Sequence, residues 1–323
     1  MSIKLFIQID KFTEGGTGVF RSRLIEAFKK IEDINLVHNP KKDFDIELAF
    51  IKQVYKHDKP YILRVDGCYY TSKKYNNKPI EKAIRRSKYV IFQSKFAYKL
   101  CERVLRLRPD CPNGKNLKYS IIYNGINLDY VKSIEPSKNI IPGSFVTCSR
   151  WDPNKRPIST IKGFIKANTG KHLYIIGGVG VEGKNTNLEK MVKSKYIHLL
   201  GRKSNKETIS ILKSCSSLIH LCHIDACPNI VIEALSCGLN VLCANLGGTK
   251  ELVKENGIVL NVDKFWKTRY MGSRNVDNLD KKIVADGINK LYKMKNGGFN
   301  RLDLDIDIIS KRYVDIIKKV IRK

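Results

Sequence analysis

Short apolar runs alternate with longer stretches in which apolar positions recur every three or four residues, and the rhythm persists along the whole chain. It predicts strands at KLFIQI, where Ile3, Leu5, Ile7 and Ile9 flank Phe6, and at INLVH, IELAFI, YILRV, YVIFQ and YSIIY. Between them VFRSRLIEAFKKI puts Val19, Phe20, Leu24, Ile25 and Phe28 on one helical face. FAYKLCERVLRL predicts another helix, ended by Pro109. A polar segment from Lys132 to Gly143, with Pro136 and Pro142, reads as a linker. The rhythm then restarts, with strands at SFVTCS, HLYIIGG, YIHLL, SLIHLC, NVLCA and GIVLN and helices at ISTIKGFIKA and KETISILKSC. The last stretch, from Asn296 to Lys323, closes on an amphipathic helix with Ile306, Ile309, Tyr313, Ile316, Ile317 and Val320 on its apolar side.

Strand and helix in alternation build parallel sheets flanked by helices. The expectation is an α/β chain of two Rossmann-like domains, residues 1–138 and 139–300, with residues 301–323 as a C-terminal helix packing back on the first. Ligands of such sheets gather at the carboxyl ends of the strands, so two facing halves would enclose a central cleft.

Composition narrows the class. A chain of 323 residues suits two medium domains, and 42% hydrophobic with 28% charged residues excludes wholesale disorder. No apolar run reaches the roughly 18 residues of a membrane span. The N-terminus MSIKLFIQID lacks the pattern of a signal peptide, so a cytoplasmic protein is expected. The nine cysteines contain no CxxC, and several, as in SLIHLCHI and VLCAN, sit in apolar runs as structural thiols do. Cys215, His220, Cys222, His223 and Cys227 cluster in sequence, but no paired zinc knuckle is present.

Charge is the unusual quantity: 60 Lys and Arg against 31 acids, formally +29. Such a field favours anionic partners, whether nucleotides, acidic lipid headgroups or nucleic acid. A lysine-rich surface bias explains it equally. Ile84 to Lys118 is notably basic, with Arg85, Arg86, Lys88, Lys95, Lys99, Arg103, Arg106 and Arg108, which leaves peripheral contact with an anionic membrane open.

Chemistry is offered at four places. Gly15 to Gly18, GGTG, follows the first strand and opens the first helix, where backbone amides can cradle an anion or simply make a tight turn. SRWDPNKRP follows the strand SFVTC and holds Arg150 and Lys155, a pair of cations suited to a pyrophosphate. Gly247-Gly248-Thr249 leads from NVLCA into KELVKEN, as an amide cradle, a helix start capped by Thr249, or both. Finally, in HIDACPNIVIEALSCG, Asp225 lies in the exit loop of SLIHLC, Pro228 suits a first helical residue, and Gly238 follows the helix end. Glu233 falls inside that helix among Ile230, Val231, Ile232, Ala234 and Leu235, where a carboxylate needs donors such as sugar hydroxyls.

Taken together these residues resemble the retaining glycosyltransferases of the GT-B fold, family 4 (glycosyl transferases group 1). The resemblance is strongest from Phe145 to Val262 and is ordered but weaker over residues 3–130. It maps the family's Glu-x7-Glu signature onto Asp225 and Glu233, with the first Glu replaced by the shorter Asp. It implies that Glu233 binds the nucleotide ribose, Asp225 the donor sugar, and Arg150 and Lys155 the donor diphosphate. Gly247-Gly248-Thr249 with Glu251 looks like the Gly-Gly-x-x-Glu loop facing the phosphates, and Gly15 and Gly16 match the N-terminal glycine loop. YILRVDG carries Arg64 and Asp66 where many members have a His; Asp66 would face the donor sugar or acceptor, or form a local ion pair with Arg64.

The implied function is hexosyl transfer from a nucleotide-diphosphate sugar, UDP- or GDP-linked, to a glycan, lipid or other hydroxyl. The resemblance implies retention of configuration. No cofactor and no metal are expected, since the cations offset the charge of the departing diphosphate and no DxD-like pair is evident at a strand end. A glycosidase would not need the pyrophosphate clamp. A sugar-nucleotide epimerase of the same fold, or a nucleic-acid binder on a repurposed fold, are the alternatives.

Overall fold

The computed structural model describes residues 2–8, 15–107, 117–178, 192, 194–272, 276–295 and 301–322. Expectations resting on Ile9, Arg108, Pro109, Cys111, Asn296 and Lys323 lie outside the described residues. The chain forms two compact units, one of Met1–Asn127, Trp266–Ser273 and Asp303–Lys323, the other of Leu128–Phe265 and Arg274–Leu302.

In the first unit, strands β1 (Ile3–Phe6), β2 (Ile34–Val37), β3 (Ile46–Phe50), β4 (Tyr61–Val65), β5 (Tyr89–Phe92) and β6 (Tyr119–Ile121) pair in the order β2-β1-β3-β4-β5-β6. All pairs are parallel. Helices α1 (Gly16–Phe28), α2 (Lys78–Arg86) and α3 (Lys95–Leu105) belong to this unit, as does α10 (Ile306–Ile321). Phe20, Leu24 and Phe28 of α1 bury against Leu5, Ile309, Ile316 and Ile317, and Tyr313 meets the rings of both Phe20 and Phe28. Strands covered on both faces need apolar side chains throughout; β4 obeys except at Arg64, which is fully buried. Helix α3 stops at Leu105, earlier than the expected proline, because Arg106 takes the left-handed conformation that closes a helix.

In the second unit, β7 (Ser144–Cys148), β8 (Leu173–Ile176), β9 (Ile197–Gly201), β10 (Cys215–His220), β11 (Asn240–Ala244) and β12 (Gly257–Leu260) form a second parallel sheet, ordered β12-β11-β10-β7-β8-β9. Its helices are α4 (Leu128–Ser133), α5 (Pro157–Ala167), α6 (Asn205–Ser214), α7 (Asn229–Ser236), α8 (Thr249–Val253) and α9 (Lys281–Tyr292). Helix α6 opens on a capping box between Ser204 and Glu207. Phe145, Phe164, Leu173, Ile219, Leu242, Val284 and Ile288 centre the core. The segment expected as a linker is stitched to α6: Ser137 N–H donates to Ser210 O, Ser214 Oγ to Ser137 O, and Lys213 Nζ to the carbonyls of Val131, Lys132 and Ile134. Its backbone groups bond to a neighbouring helix, while Lys132, Glu135, Lys138 and Asn139 remain exposed.

The eight described cysteines are free, five of them buried, and burial pushes the thiols of Cys148, Cys215, Cys237 and Cys243 up to about 12. Among the described residues no helix is long and apolar enough to cross a membrane.

Candidate active site

The strand order of the second sheet sets the position of the site. The chain leaves β7 for β8 on one side and later returns to β10 on the other. At such a switch point the loops after the two central strands diverge and leave a crevice at their carboxyl ends. Residues 149–156 leave β7, residues 221–228 leave β10, and residues 245–248 leave β11.

Asn154 zips the first two loops together. Its carbonyl accepts from His223 N–H at 2.8 Å and its Nδ2 donates to Ile224 O at 3.2 Å. The next residue, Lys155, is thereby aimed at Asp225, with Nζ 2.8 Å from Oδ2. Burial pushes the Asp225 carboxyl up, but the Lys155 ammonium and then His220 outweigh it and hold the group below its ordinary value. Burial likewise pulls Lys155 down, and Asp225 more than reverses it. Both groups are charged. His220 Nε2 lies 4.0 Å from the same carboxylate oxygen, and burial, reinforced by Lys155 and opposed by Asp225, lowers the imidazole to about 4. His220, Cys222 and Asp225 present metal-competent atoms within 4.8 Å of one another, and Lys155 is the cation already bonded there.

The glycine loop packs beneath Asp225. Gly247 has φ 101°, and a Cβ there would lie 2.7 Å from the Asp225 carbonyl oxygen, so this backbone approach needs glycine. Gly248 N–H donates to that carbonyl at 2.8 Å. Gly248, not Thr249, is the N-cap of α8; Thr249 is its first residue, buried at 2% exposure. Pro228 is likewise the N-cap of α7 rather than its first residue. Glu233 sits in α7, buried, with Oε1 accepting from Asn205 Nδ2 at 3.0 Å. Arg150 is exposed, and among the described residues its guanidinium has no hydrogen-bond or ion-pair partner.

One cluster went unread in the sequence. Arg156 holds both oxygens of Asp263, at 2.8 and 2.5 Å, and His223 Nδ1 is 2.8 Å from Oδ1. Asn245 fixes the Asp263 backbone by accepting its N–H and donating to its carbonyl, each at 2.8 Å. Loops leaving β7, β10, β11 and β12 thus meet at Asp263. Arg156 does this at φ 52°, a left-handed conformation uncommon for a residue with a Cβ. Burial raises the Asp263 carboxyl, yet Arg156 and His223 together push it down to about 2.

Two pH steps follow. Unfolded, His220 gains a proton near its ordinary 6.5, but folded only near 4, so its contribution is complete above about 6.5 and is lost as pH falls to about 4. Asp263, ordinarily 3.8 and here about 2, contributes fully above about 3.8 and loses that contribution as pH falls through about 2. Thermal unfolding followed from neutral to acid pH is expected to fall in these two stages, and His220→Asn to flatten the upper one alone. An unchanged upper stage in that variant would assign it elsewhere.

The first unit holds the remaining residues. Asp66 follows β4, with Oδ1 2.9 Å from Arg64 Nε. Arg64 also donates to Tyr313 Oη at 2.8 Å and to Asn124 Oδ1 at 2.5 Å, and its guanidinium lies 4.1 Å from the Phe20 ring centroid. Gln93 Nε2 donates to the Asp66 carbonyl. Gly15 is the N-cap of α1 and Gly16 its first residue. The structure therefore gathers Lys155, Asp225, Gly247 and Gly248 in the second unit, with Glu233 on the helix that the Asp225 loop feeds. Asp66 and the Gly15–Gly16 turn belong to the first.

Known proteins resemble this chain in sequence and fold. Residues 137–293 match the family model described as glycosyl transferases group 1. Over 151 residues, 46% of this chain, the sequence is 24% identical to N,N'-diacetylbacillosaminyl-diphospho-undecaprenol alpha-1,3-N-acetylgalactosaminyltransferase of Campylobacter jejuni, and the match spans 37% of that relative. A glycosyltransferase from Rickettsia africae is similar in structure, with a TM-score of 0.69 at 15% identity, covering 100% of this chain and 99% of that one. Sucrose-phosphate synthase from Thermosynechococcus elongatus gives 0.71 at 10%, covering 98% and 99%. Anabaena Alr3699/HepE, in complex with UDP and glucose, gives 0.65 at 14%, covering 98% and 100%. The two parallel sheets thus have the fold of GT-B glycosyltransferase structures, and residues 137–293 match the group 1 model.

Proposed function

We propose that the chain moves a hexosyl group from a nucleotide-diphosphate sugar to an acceptor hydroxyl, with retention of configuration and without a metal. The observation that carries this reading is the Lys155–Asp225 pair, 2.8 Å across, seated on the Gly247–Gly248 backbone at the switch point of the sheet. A half-buried cation beside the Gly247 amide suits a diphosphate, and an adjacent ionised carboxylate suits sugar hydroxyls.

On donor binding, Lys155 passes from Asp225 to the diphosphate, and exposed Arg150 adds a second cation from the same loop. Asp225 takes hydroxyls of the sugar, and Glu233, steadied by Asn205, takes those of the ribose. As the anomeric C–O bond breaks, its electron pair leaves on the diphosphate oxygen, where these cations and the amide of Gly247 offset the growing charge. The acceptor hydroxyl forms the new bond on the face the diphosphate leaves and yields its proton to the departing phosphate. Asp66 lies on the acceptor side. A UDP-linked donor is supported by the UDP and glucose in the Anabaena structure, and a lipid-diphosphate-linked saccharide acceptor by the name of the Campylobacter relative.

The test is thermal stability against UDP, GDP, ADP, CMP and dTDP, each with and without chelator. A ligand at 100 times its Kd adds about 2.7 kcal/mol. One nucleoside diphosphate is expected to shift the transition regardless of chelator, and Glu233→Ala to lose that shift while remaining folded. No shift with any, alongside salt-sensitive binding to DNA or RNA, would move the reading to a nucleic-acid binder.

A further inference from the structure

The loop leaving β4 begins at Asp66, reaches Asn77 before α2, and carries an aromatic pair with no part in the chemistry above. Tyr69 and Tyr75 stack with ring centroids 5.3 Å apart and planes at 20°, yet remain 49% and 46% exposed. Their backbone is held firmly. Asn77, itself 6% exposed, accepts from the Tyr69 N–H at 3.0 Å and donates to the Tyr69 carbonyl at 2.9 Å. Tyr70 stacks on Trp266 at 5.7 Å, and the N–H groups of Met271 and Gly272 donate to the carbonyls of Tyr70 and Thr71. The exposed rings therefore stand on a braced support, which is what a preformed binding surface needs.

Charge specifies the occupant further. Lys73 and Lys74 of the same loop and Lys78 at the start of α2 are exposed, and among the described residues none of the three has an acidic partner. The loop's single acid, Asp66, is engaged by Arg64. A flat aromatic face accepts the C–H face of a sugar ring, and neighbouring ammonium groups accept phosphate.

We infer that Tyr69 and Tyr75 form a subsite for a saccharide carried on a diphosphate, with one sugar ring on the tyrosines and the diphosphate at Lys73 and Lys74. The inference rests on the transferase reading, in which the same loop starts at the acceptor-side Asp66, and it names the residues that hold an acceptor of the class proposed there.

The test is calorimetric titration of the full chain, without donor, using an N-acetylhexosamine joined by a diphosphate to a short water-soluble prenyl chain. Tyr69→Ala and Tyr75→Ala are each expected to weaken binding about tenfold while Tyr75→Phe keeps it, since the ring and not the hydroxyl makes the contact. Lys73→Ala with Lys74→Ala is expected to weaken it by a similar factor. Two comparison ligands separate the sources: the prenyl diphosphate without sugar, and vesicles of phosphatidylglycerol. Unchanged affinity in the alanine variants, or equal affinity of the wild type for the sugar-free diphosphate, overturns the subsite. Vesicle binding lost in the same variants, with no saccharide preference, also overturns it and assigns the rings to a lipid surface. Nucleoside diphosphate shifts on the same variants stay at the wild-type value if the subsite serves the acceptor alone. A wild type with no such shift would defeat the transferase reading without altering the titration.

Discussion

Lys155→Met is expected to bind no nucleoside diphosphate and to turn over about 100- to 1,000-fold more slowly than the wild type, the range seen when one preorganised donor to a developing oxyanion is removed. The expectation follows from what Lys155 does in the resting site. Its ammonium is the nearest cation to Asp225, and it keeps that carboxyl ionised against the pull of burial. Met is of similar length and apolar, so the stem packing survives while the charge does not. Asp225 is then left with His220 at 4.0 Å, an imidazole already driven neutral by burial. Two losses coincide: the diphosphate loses its cation, and the sugar-binding carboxylate shifts toward its protonated form. Lys155→Arg keeps the charge but replaces a point donor with a planar fork, so partial activity is expected. Calorimetry with the nucleoside diphosphate and steady-state kinetics check both variants. Wild-type donor affinity in Lys155→Met would remove the clamp assignment.

The largest stability effect is expected at Arg64. Arg64→Met should lower unfolding free energy by about 3–5 kcal/mol, because it strands a buried carboxylate rather than merely deleting a contact. Asp66 is only 10% exposed in its side chain, and Arg64 Nε is its ion-pair partner at 2.9 Å. The same substitution also strips Tyr313 Oη and Asn124 Oδ1 of their donor. The double variant Arg64→Met with Asp66→Asn removes the stranded charge and is expected to recover part of the loss. Urea unfolding of the single and double variants makes the comparison. Equal destabilisation in both would mean that the cost arises from the lost contacts with Phe20, Tyr313 and Asn124 and not from the unpaired acid.

Strand positions were legible because a parallel sheet covered on both faces needs near-continuous apolar runs, and YILRV, NVLCA and SLIHLC are such runs. Helices α2 and α9 were not read. The first has only Ile80, Ala83 and Ile84 to bury in a heavily charged stretch. The second carries Gly287 in mid-helix, which reads as a breaker; the fold places it where a Cβ would come within 2.8 Å of Leu260 and 2.9 Å of Leu242, so the glycine permits close packing on the sheet. At the site, Lys155 and Asp225 could be named because each follows an apolar run at a strand end. Asp263 could not, since its meaning depends on Arg156 and His223, 107 and 40 residues away, and no period or spacing connects them. Asn205 was hidden in the same way: the Ser204–Glu207 box announces a helix start, but nothing local indicates that its first residue reaches Glu233. Local pattern marks elements and their ends, whereas contacts between loops are set by sheet order.

Three separate stretches of chain make up the first unit, and the last of them supplies Ile309, Tyr313, Ile316 and Ile317 to its core. A ribosome delivers these side chains only after every strand of the second unit has been made. The half that is synthesised first is therefore the half that is completed last, and until then Phe20 and Phe28 wait without the tyrosine they pack against. Chain order and assembly order run in opposite directions in this molecule.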